Sequence, residues 1–210
     1  MWEAPPDFGI LASYILTSSL EMGTAEQNAY GVAAGLANCG YNVFAATFAV
    51  FASMRAVEMI RTSIAYPKNN VKVIGGYAGI SNGKDGATHQ SVEDIAIMRS
   101  LPNMRVLSVA DKYAAAKITD MLCKLEGPAY LRVEYDEIGT VYDENAEFKL
   151  GKANVLREGK DCTLIAYGSA VVRAMNVAKK LGKEGLDVGV IDTQKTTEIT
   201  CVIWQRFCGQ

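Results

Sequence analysis

Two stretches of the sequence carry residues suited to acid–base chemistry. In the first, a lone carboxylate, Glu26, precedes a run of Ala, Gly, Val and Leu that ends at Gly40. Small side chains let helices approach one another closely, so this acid could lie in a water-poor interface and share a proton with a ring nitrogen of a bound molecule. The alternative is an acid that only stabilises the positive end of the helix dipole.

The second stretch is a glycine-rich loop, residues 77–90, which follows the predicted strand Val71–Gly76. It contains Asp85 and the only histidine of the sequence, His89. Glycine lets the backbone approach a ligand closely, and open α/β sheets build their sites beyond the carboxyl ends of parallel strands. The loop therefore favours a binding site, although a single histidine near a helix start is often structural. It lacks the Gly-x-Gly-x-x-Gly pattern of dinucleotide-binding loops.

Alternating helix and strand patterns surround both stretches. Thr24 and Gln27 fit a capping box, with Thr24 as the N-cap of the helix that carries Glu26. The repeated β–α units predict an α/β fold, a mostly parallel sheet with helices on both faces. The predicted strands are 42–47, 71–76, 104–110 and 129–134, and the predicted helices are 24–38, 48–66, 91–100 and 112–125.

A second, smaller unit is predicted after the polar stretch 135–149, which resembles a linker. Strand patterns at 161–169 and 187–192 flank a helix pattern at 170–181. We therefore expect a first domain at 1–140 and a partial second α/β domain at 151–210, and we interpret the second as shortened.

Composition excludes several function classes. The net charge is −2 with no basic stripe, which argues against nucleic-acid binding, and one histidine excludes a multi-histidine metal site. The five cysteines are odd in number and form no Cys-x-x-Cys, which indicates reduced thiols in the cytoplasm. The apolar run 8–20 is interrupted by polar residues and follows Glu3 and Asp7, so we predict neither a signal peptide nor a membrane helix.

Four segments in order resemble the pyrimidine-binding domain of transketolases, particularly the short C-terminal subunits of split transketolases. They are AEQNAYGVAAGLANCG, TFAVFASMRAVEMIRTSIAYPKNNVKVIG, AGISNGKDGATHQSVEDIAIMRSLPNM and GPAYLRVE. The likeness runs from Gly23 to Glu134 and continues weakly to Asp192, where the chain resembles the start of the family's C-terminal domain. Residues 1–22 diverge from the family pattern.

The resemblance implies a thiamine diphosphate-binding fold, with thiamine diphosphate and Mg²⁺ held between two chains. Glu26 matches the family's catalytic glutamate, which protonates or hydrogen-bonds the aminopyrimidine ring and promotes the imino tautomer that removes the thiazolium C2 proton. Phe48 and Phe51 match aromatic residues around the pyrimidine, and their spacing predicts one helix face. Ordinary core packing is the alternative for this pair.

The resemblance also implies a substrate end. Asp85 and His89 match residues near the hydroxyls of the sugar, His89 being counted with Glu26 as catalytic, and Arg132 matches an arginine that binds the sugar phosphate. Two positions depart from the family pattern: Tyr77 stands where a histidine is usual, and Lys84 replaces an acid. A strand arginine that serves only the surface is the alternative for Arg132.

The family's diphosphate–Mg²⁺ motif begins with Gly-Asp-Gly, which does not occur in this sequence. We therefore expect an N-terminal partner subunit to supply that half of the site, in a hetero-oligomer or across a homodimer interface. The implied activity is transfer of a two-carbon ketol unit between sugar phosphates. The alternatives are deoxyxylulose-phosphate synthase, the β-type subunit of a 2-oxo acid dehydrogenase, and a non-catalytic, truncated homologue.

Overall fold

The computed structural model describes residues 19–135 and 139–194. The apolar run 8–20 and the divergent segment 1–22 fall almost entirely outside these residues, as do Cys201 and Cys208. Within the described ranges, no helix has both the length and the apolar character needed to cross a membrane. Cys39, Cys123 and Cys162 are free thiols and exposed.

The first unit is built on a four-stranded parallel sheet. Its strands are β1 (Val43–Phe48), β2 (Val71–Gly76), β3 (Arg105–Ser108) and β4 (Ala129–Arg132). The spatial order is β1-β2-β4-β3, and every neighbouring pair is parallel. The two central strands, β2 and β4, are buried at every position, as expected for a parallel sheet covered on both faces.

Helices cover both faces of this sheet, as the sequence predicts. Because side chains alternate along a strand, Val71 and Val73 of β2 face one core and Ile74 faces the other. The first core packs the sheet against α1 (Glu26–Asn38), the helical segment α2 (51–65) and α3 (Asp94–Ser100). The second core packs it against α4 (Lys112–Lys124).

The helical segment α2 is irregular. It consists of π-helical Phe51–Arg55, α-helical Val57–Met59 and π-helical Ile60–Ala65. Phe48 is not part of it, because it is the last residue of β1 and pairs with Gly76 of β2. The prediction that Phe48 and Phe51 share a helix face is therefore wrong: the strand ladder extends through Phe48 and the helical turns begin after it. π-Helical turns occur frequently at functional sites.

Two predicted helix starts are also wrong. Helix α1 begins at Glu26, its N-cap is Ala25 without a side-chain cap, and Thr24 lies outside it. Helix α3 begins at Asp94 and not at Ser91. Backbone pairing with Gly79, through hydrogen bonds of 2.7 and 3.0 Å, holds Ser91 in an isolated bridge instead.

The second unit contains the partial sheet β5 (Asn154–Arg157), β6 (Cys162–Ala166) and β7 (Val188–Asp192), with the helix α5 (Ala170–Lys183) packed against it. The order is β5-β7-β6; β6 is parallel and β5 antiparallel to β7. The sequence did not predict β5, because this four-residue strand is only partly buried and shows no apolar alternation.

Polar contacts connect the two units. The Asp111 carboxylate caps α4 by accepting from the Ala114 amide and holds the linker by accepting from the Val141 and Tyr142 amides. The Tyr142 hydroxyl donates to Asp192 at 2.7 Å. Burial raises the pKa of Asp192 to about 6, and its Oδ1 has no hydrogen-bond partner within the described chain.

We expect Asp192→Asn to stabilise the protein above pH 6. The folded-state pKa lies above the ordinary value, so folded protein binds this proton more tightly and its stability falls as pH rises from about 4 to 6. The variant lacks the buried charge and should be more stable by about 1–2 kcal/mol at pH 7–8, converging with wild type near pH 4. Urea unfolding across this pH range measures the difference.

The matched control is Glu144→Gln, which removes an exposed acid from the linker. It should leave the pH dependence of stability unchanged. A constant difference between Asp192→Asn and wild type at every pH would contradict titration of Asp192 as the cause.

Candidate functional site

Phe48, predicted to contact the cofactor, and Tyr77, which departs from the family pattern, come together at the carboxyl ends of β1 and β2. Phe48 ends β1 and pairs in register with Gly76, the last residue of β2, which Tyr77 follows directly. This edge is where parallel α/β sheets form their binding sites. These rings therefore lie at the edge of the sheet where the sequence predicts a binding site.

An aromatic cluster occupies this edge and comprises Phe48, Phe51, Tyr77, His89 and Tyr135. The Phe48 ring stacks on Tyr77 with centroids 4.5 Å apart and on Phe51 with centroids 5.8 Å apart. Tyr77 stacks in turn on Tyr135 at 4.9 Å. The His89 imidazole meets Phe51 and Phe48 edge-on, at 5.3 and 5.7 Å. The cluster thus joins Phe48 and Phe51, predicted for the cofactor, with His89, predicted for the substrate.

Side-chain contacts within the loop hold the part that carries His89. Tyr77 has a φ of 54°, a left-handed conformation that a bulky residue rarely adopts. The side-chain amide of Asn82 donates to the backbone carbonyl of His89 at 2.7 Å, and the His89 Nδ1 lies 2.9 Å from the Thr88 hydroxyl. Bulky residues in such sparsely populated backbone conformations cluster at functional sites.

The predicted acid lies next to this cluster. Glu26 is the first residue of α1 and is buried, and its carboxylate pairs with the Arg55 guanidinium at 3.3 Å. Arg55 also lies over the Phe51 ring, 4.5 Å from its centroid. Because the Arg55 side chain is 55% exposed, the only ion pair of Glu26 within the described chain can be displaced by a ligand.

Tyr30 lies one helical turn after Glu26 on α1. This tyrosine is buried, and its hydroxyl has no hydrogen-bond partner in the described part of the chain. Burial raises the pKa of Tyr30 well above its usual range, and the nearby Glu26 charge adds to the increase. The hydroxyl therefore remains neutral.

Asp85 occupies a different environment. It ends the short 3₁₀ turn Gly83–Asp85 and is exposed, and its carboxylate makes no hydrogen bond or ion pair within the described residues. The structure therefore places it on the same loop as His89 without joining the two side chains.

Arg132 is separate from the aromatic cluster. Its buried guanidinium pairs with Asp94 at 3.1 Å and with Glu134, and Asp94 also accepts from the Tyr130 hydroxyl at 2.8 Å. Burial by itself would lower the pKa of Arg132, but the two carboxylates raise it above its ordinary value. It lines a cavity of about 350 Å³ between the two units. The loop after β2 connects the two places, since Tyr77 belongs to the cluster and residues 78–81 line this cavity.

Sequence reasoning missed several of these partners. Arg55 follows Phe51 by four residues, a spacing that brings side chains together on a helix. Glu134 follows Arg132 by two residues, which places both on one side of an extended chain. Both spacings could therefore have indicated these contacts from the sequence. The approach of Asp94 to Arg132 depends on tertiary packing and leaves no local signal.

This arrangement can hold a flat ring against aromatic faces while a buried carboxylate exchanges a hydrogen bond or proton with it. The described residues contain no group of three or more His, Cys, Asp or Glu side chains that could hold a metal ion.

Comparisons with known proteins identify the same family as the sequence resemblance. The family model of the transketolase pyrimidine-binding domain matches residues 13–138, and that of the transketolase C-terminal domain matches residues 151–199. The first match includes Glu26, the aromatic cluster and Arg132.

Two curated relatives align along most of this chain. A putative transketolase C-terminal section from Methanocaldococcus jannaschii is 43% identical over 172 residues, 81% of this chain and 54% of that protein. One subunit of the apulose-4-phosphate transketolase from Phocaeicola vulgatus is 37% identical over 185 residues, 88% of this chain and 59% of that protein. The chain thus spans a little over half the length of these relatives.

Solved structures have the same fold. A split-gene transketolase, described as an inactive β4 tetramer, aligns with a TM-score of 0.76 and 43% identity over 84% of this chain and 57% of that chain. A transketolase from Campylobacter jejuni aligns with a TM-score of 0.71 at 23% identity, over 89% of this chain and 30% of that chain, and supports the fold alone. Because a family model covers more than half of its residues and close relatives cover most of its length, the chain belongs to the transketolase family.

Proposed function

We propose that this chain is the C-terminal subunit of a thiamine diphosphate-dependent transketolase, which transfers a two-carbon ketol unit between sugar phosphates. The observation that carries the proposal is the buried Glu26 beside the aromatic cluster, with Arg55 contacting both the carboxylate and the Phe51 ring. The relatives whose names describe parts of transketolases support it.

The residues at the site fit the aminopyrimidine half of thiamine diphosphate. Phe48 and Phe51 offer aromatic faces for a flat ring, and the Glu26 carboxylate can accept or supply a proton at a ring nitrogen. When bound, the cofactor supplies the activated thiazolium carbon that accepts the ketol unit. The role of Glu26 is to hold and move the proton at the ring nitrogen, and that of the two phenylalanines is to orient the ring and exclude water.

The substrate would contact the loop side of the cluster. We assign His89 to proton transfer with the sugar hydroxyls, since its imidazole lies against Phe48 and Phe51. Asp85, exposed on the same loop, would accept hydrogen bonds from those hydroxyls. Arg132 would bind the sugar phosphate through the part of its guanidinium that its two carboxylates leave available.

A partner subunit would provide the diphosphate half of the site. The sequence contains no Gly-Asp-Gly, and the described residues offer no metal-ligand cluster, which supports a second chain as the source of the Mg²⁺ and diphosphate ligands. The names of the two curated relatives, one a C-terminal section and the other a subunit of a transketolase, support the same division. We place this assembly in the cytoplasm because the described cysteines are exposed free thiols.

The test is reconstitution with a candidate N-terminal subunit. We expect ketol transfer between sugar phosphates only when both chains, thiamine diphosphate and Mg²⁺ are present, and sedimentation should show a complex with at least a standard-sized interface. Turnover by this chain as a monomer would contradict the partner requirement. A well-formed complex that binds the cofactor without transferring a ketol unit would contradict the proposed reaction.

A further inference from the structure

The carboxylate of Glu134 bridges the two units of the chain. Its Oε1 accepts a hydrogen bond from Nη1 of Arg132, and its Oε2 accepts from the backbone amide of Ser169 at 3.3 Å. Ser169 is the N-cap of α5, so the amide belongs to the electropositive end of a 14-residue helix. Glu134 therefore connects the second unit to the arginine, and the Tyr167 ring of the same unit lies 5.9 Å from Cζ of Arg132.

The backbone before α5 is shaped to admit this carboxylate. Gly168 has a φ of +60°, and a Cβ at this position would lie 2.7 Å from Oε1 of Glu134 and 3.0 Å from Oγ of Ser108. The close atom of Glu134 is the end of a flexible side chain, so a methyl group here would displace the carboxylate rather than the backbone. Glycine is thus required by both the left-handed turn and the close approach.

The two carboxylates restrain Arg132 and leave one end of it available. Nε donates to Asp94, Nη1 donates to Glu134, and Nη2 donates to no group in the described parts of the chain. Nη2 lies against Gly79, 3.2 Å from the position of an added Cβ, beside the cavity between the two units. Because Nε and Nη1 are already held, Nη2 can bind a ligand with little further loss of side-chain entropy.

We propose that Glu134 is a positioning residue through which the second unit orients Arg132 for the phosphate of the substrate. The inference deepens the proposed function and rests on it. In this role Glu134, which lines the same cavity as Arg132, acts through the arginine: it fixes Nη1, and the N-terminus of α5 fixes Glu134. The second unit thereby takes part in substrate recognition through an ion pair in the first.

The experiment uses Gly168→Ala in the complex with the N-terminal subunit. The substitution lies outside the cluster and the cavity lining and should move the Glu134 carboxylate. We expect KM for xylulose 5-phosphate to rise about tenfold, while KM for xylulose, which lacks the phosphate, and kcat for both donors remain within twofold. Glu134→Gln is uncharged and keeps one acceptor oxygen, so it cannot accept from both Arg132 and Ser169 and should show the same selective rise.

The matched control is Gly185→Ala in the same unit. Gly185 also has a left-handed φ, of +91°, but an added Cβ meets nothing within 4 Å, so this variant carries the backbone strain without displacing Glu134. It should leave both KM values unchanged. Equal rises with both donors, or a rise in the control as large as in Gly168→Ala, would overturn the positioning role.

A lower KM for xylulose 5-phosphate in Glu134→Gln would also overturn it, because Glu134 would then be competing with phosphate for Arg132. If the wild-type complex does not transfer a ketol unit, the result contradicts the proposed function itself. Amide exchange at Ser169 provides a readout independent of turnover: its protection should decrease in Gly168→Ala, and unchanged protection would contradict the bridge.

Discussion

Glu26→Gln should slow exchange of the C2 proton of bound thiamine diphosphate by a factor of 100 or more. The amide preserves the shape of the side chain and its capacity for hydrogen bonding but cannot give or take the proton, and loss of a general acid–base group has effects of this order. Cofactor affinity should change by less than roughly tenfold, about 1.4 kcal/mol. The measurement is deuterium exchange at C2 in the complex of both subunits.

The structure sharpens this expectation. Glu26 is buried at the start of α1, while its ion-pair partner Arg55 is largely exposed. An acid serving only the helix dipole would contribute under about 1 kcal/mol of stability and would leave C2 exchange untouched. The control is Glu58→Gln, which removes an exposed acid from α2 and should affect neither affinity nor exchange. Wild-type exchange in Glu26→Gln would show that the carboxylate is structural.

The fold was predictable from the sequence because its elements have strong local signals. The apolar run of β2 was located without error, and α4 was located to within one residue of its end. The predicted boundaries of helices and strands are wrong where pairing with a distant segment determines them. Phe48 belongs to β1 and not to the predicted helix, because it pairs with Gly76. Ser91 lies outside the predicted helix because its backbone pairs with Gly79. β5 is short and half-exposed, so its pattern gave no signal.

The site was predictable in its residue types and less so in its contacts. The resemblance indicated Glu26, Phe48 and His89, and the structure brings the last two together in one cluster, with Glu26 linked to it through Arg55. It did not indicate that Arg132 would be held by two carboxylates, because one of them, Asp94, comes from a distant helix. Such contacts follow from packing between elements that are far apart along the chain.

Phe48→Ala should weaken binding of thiamine diphosphate to the complex about 100-fold, or about 2.7 kcal/mol. The Phe48 ring is the centre of the aromatic cluster, in contact with Phe51, Tyr77 and His89. Its removal takes away one face for the pyrimidine and leaves a cavity into which the neighbouring rings can move, and large-to-small changes at packed aromatic positions cost several kcal/mol. Titration calorimetry with the cofactor measures the effect.

Phe44→Ala provides the matched control, because Phe44 lies on the same strand, β1, but packs against the second core, away from the cluster. Both variants lose a partly buried phenylalanine and should lower the urea midpoint by comparable amounts. Only Phe48→Ala should lower cofactor affinity, since only its ring lies where the ligand would bind. Equal affinity in the two variants would show that Phe48 is core packing, and the ligand-binding role of the cluster would then fall to Phe51 and His89 alone.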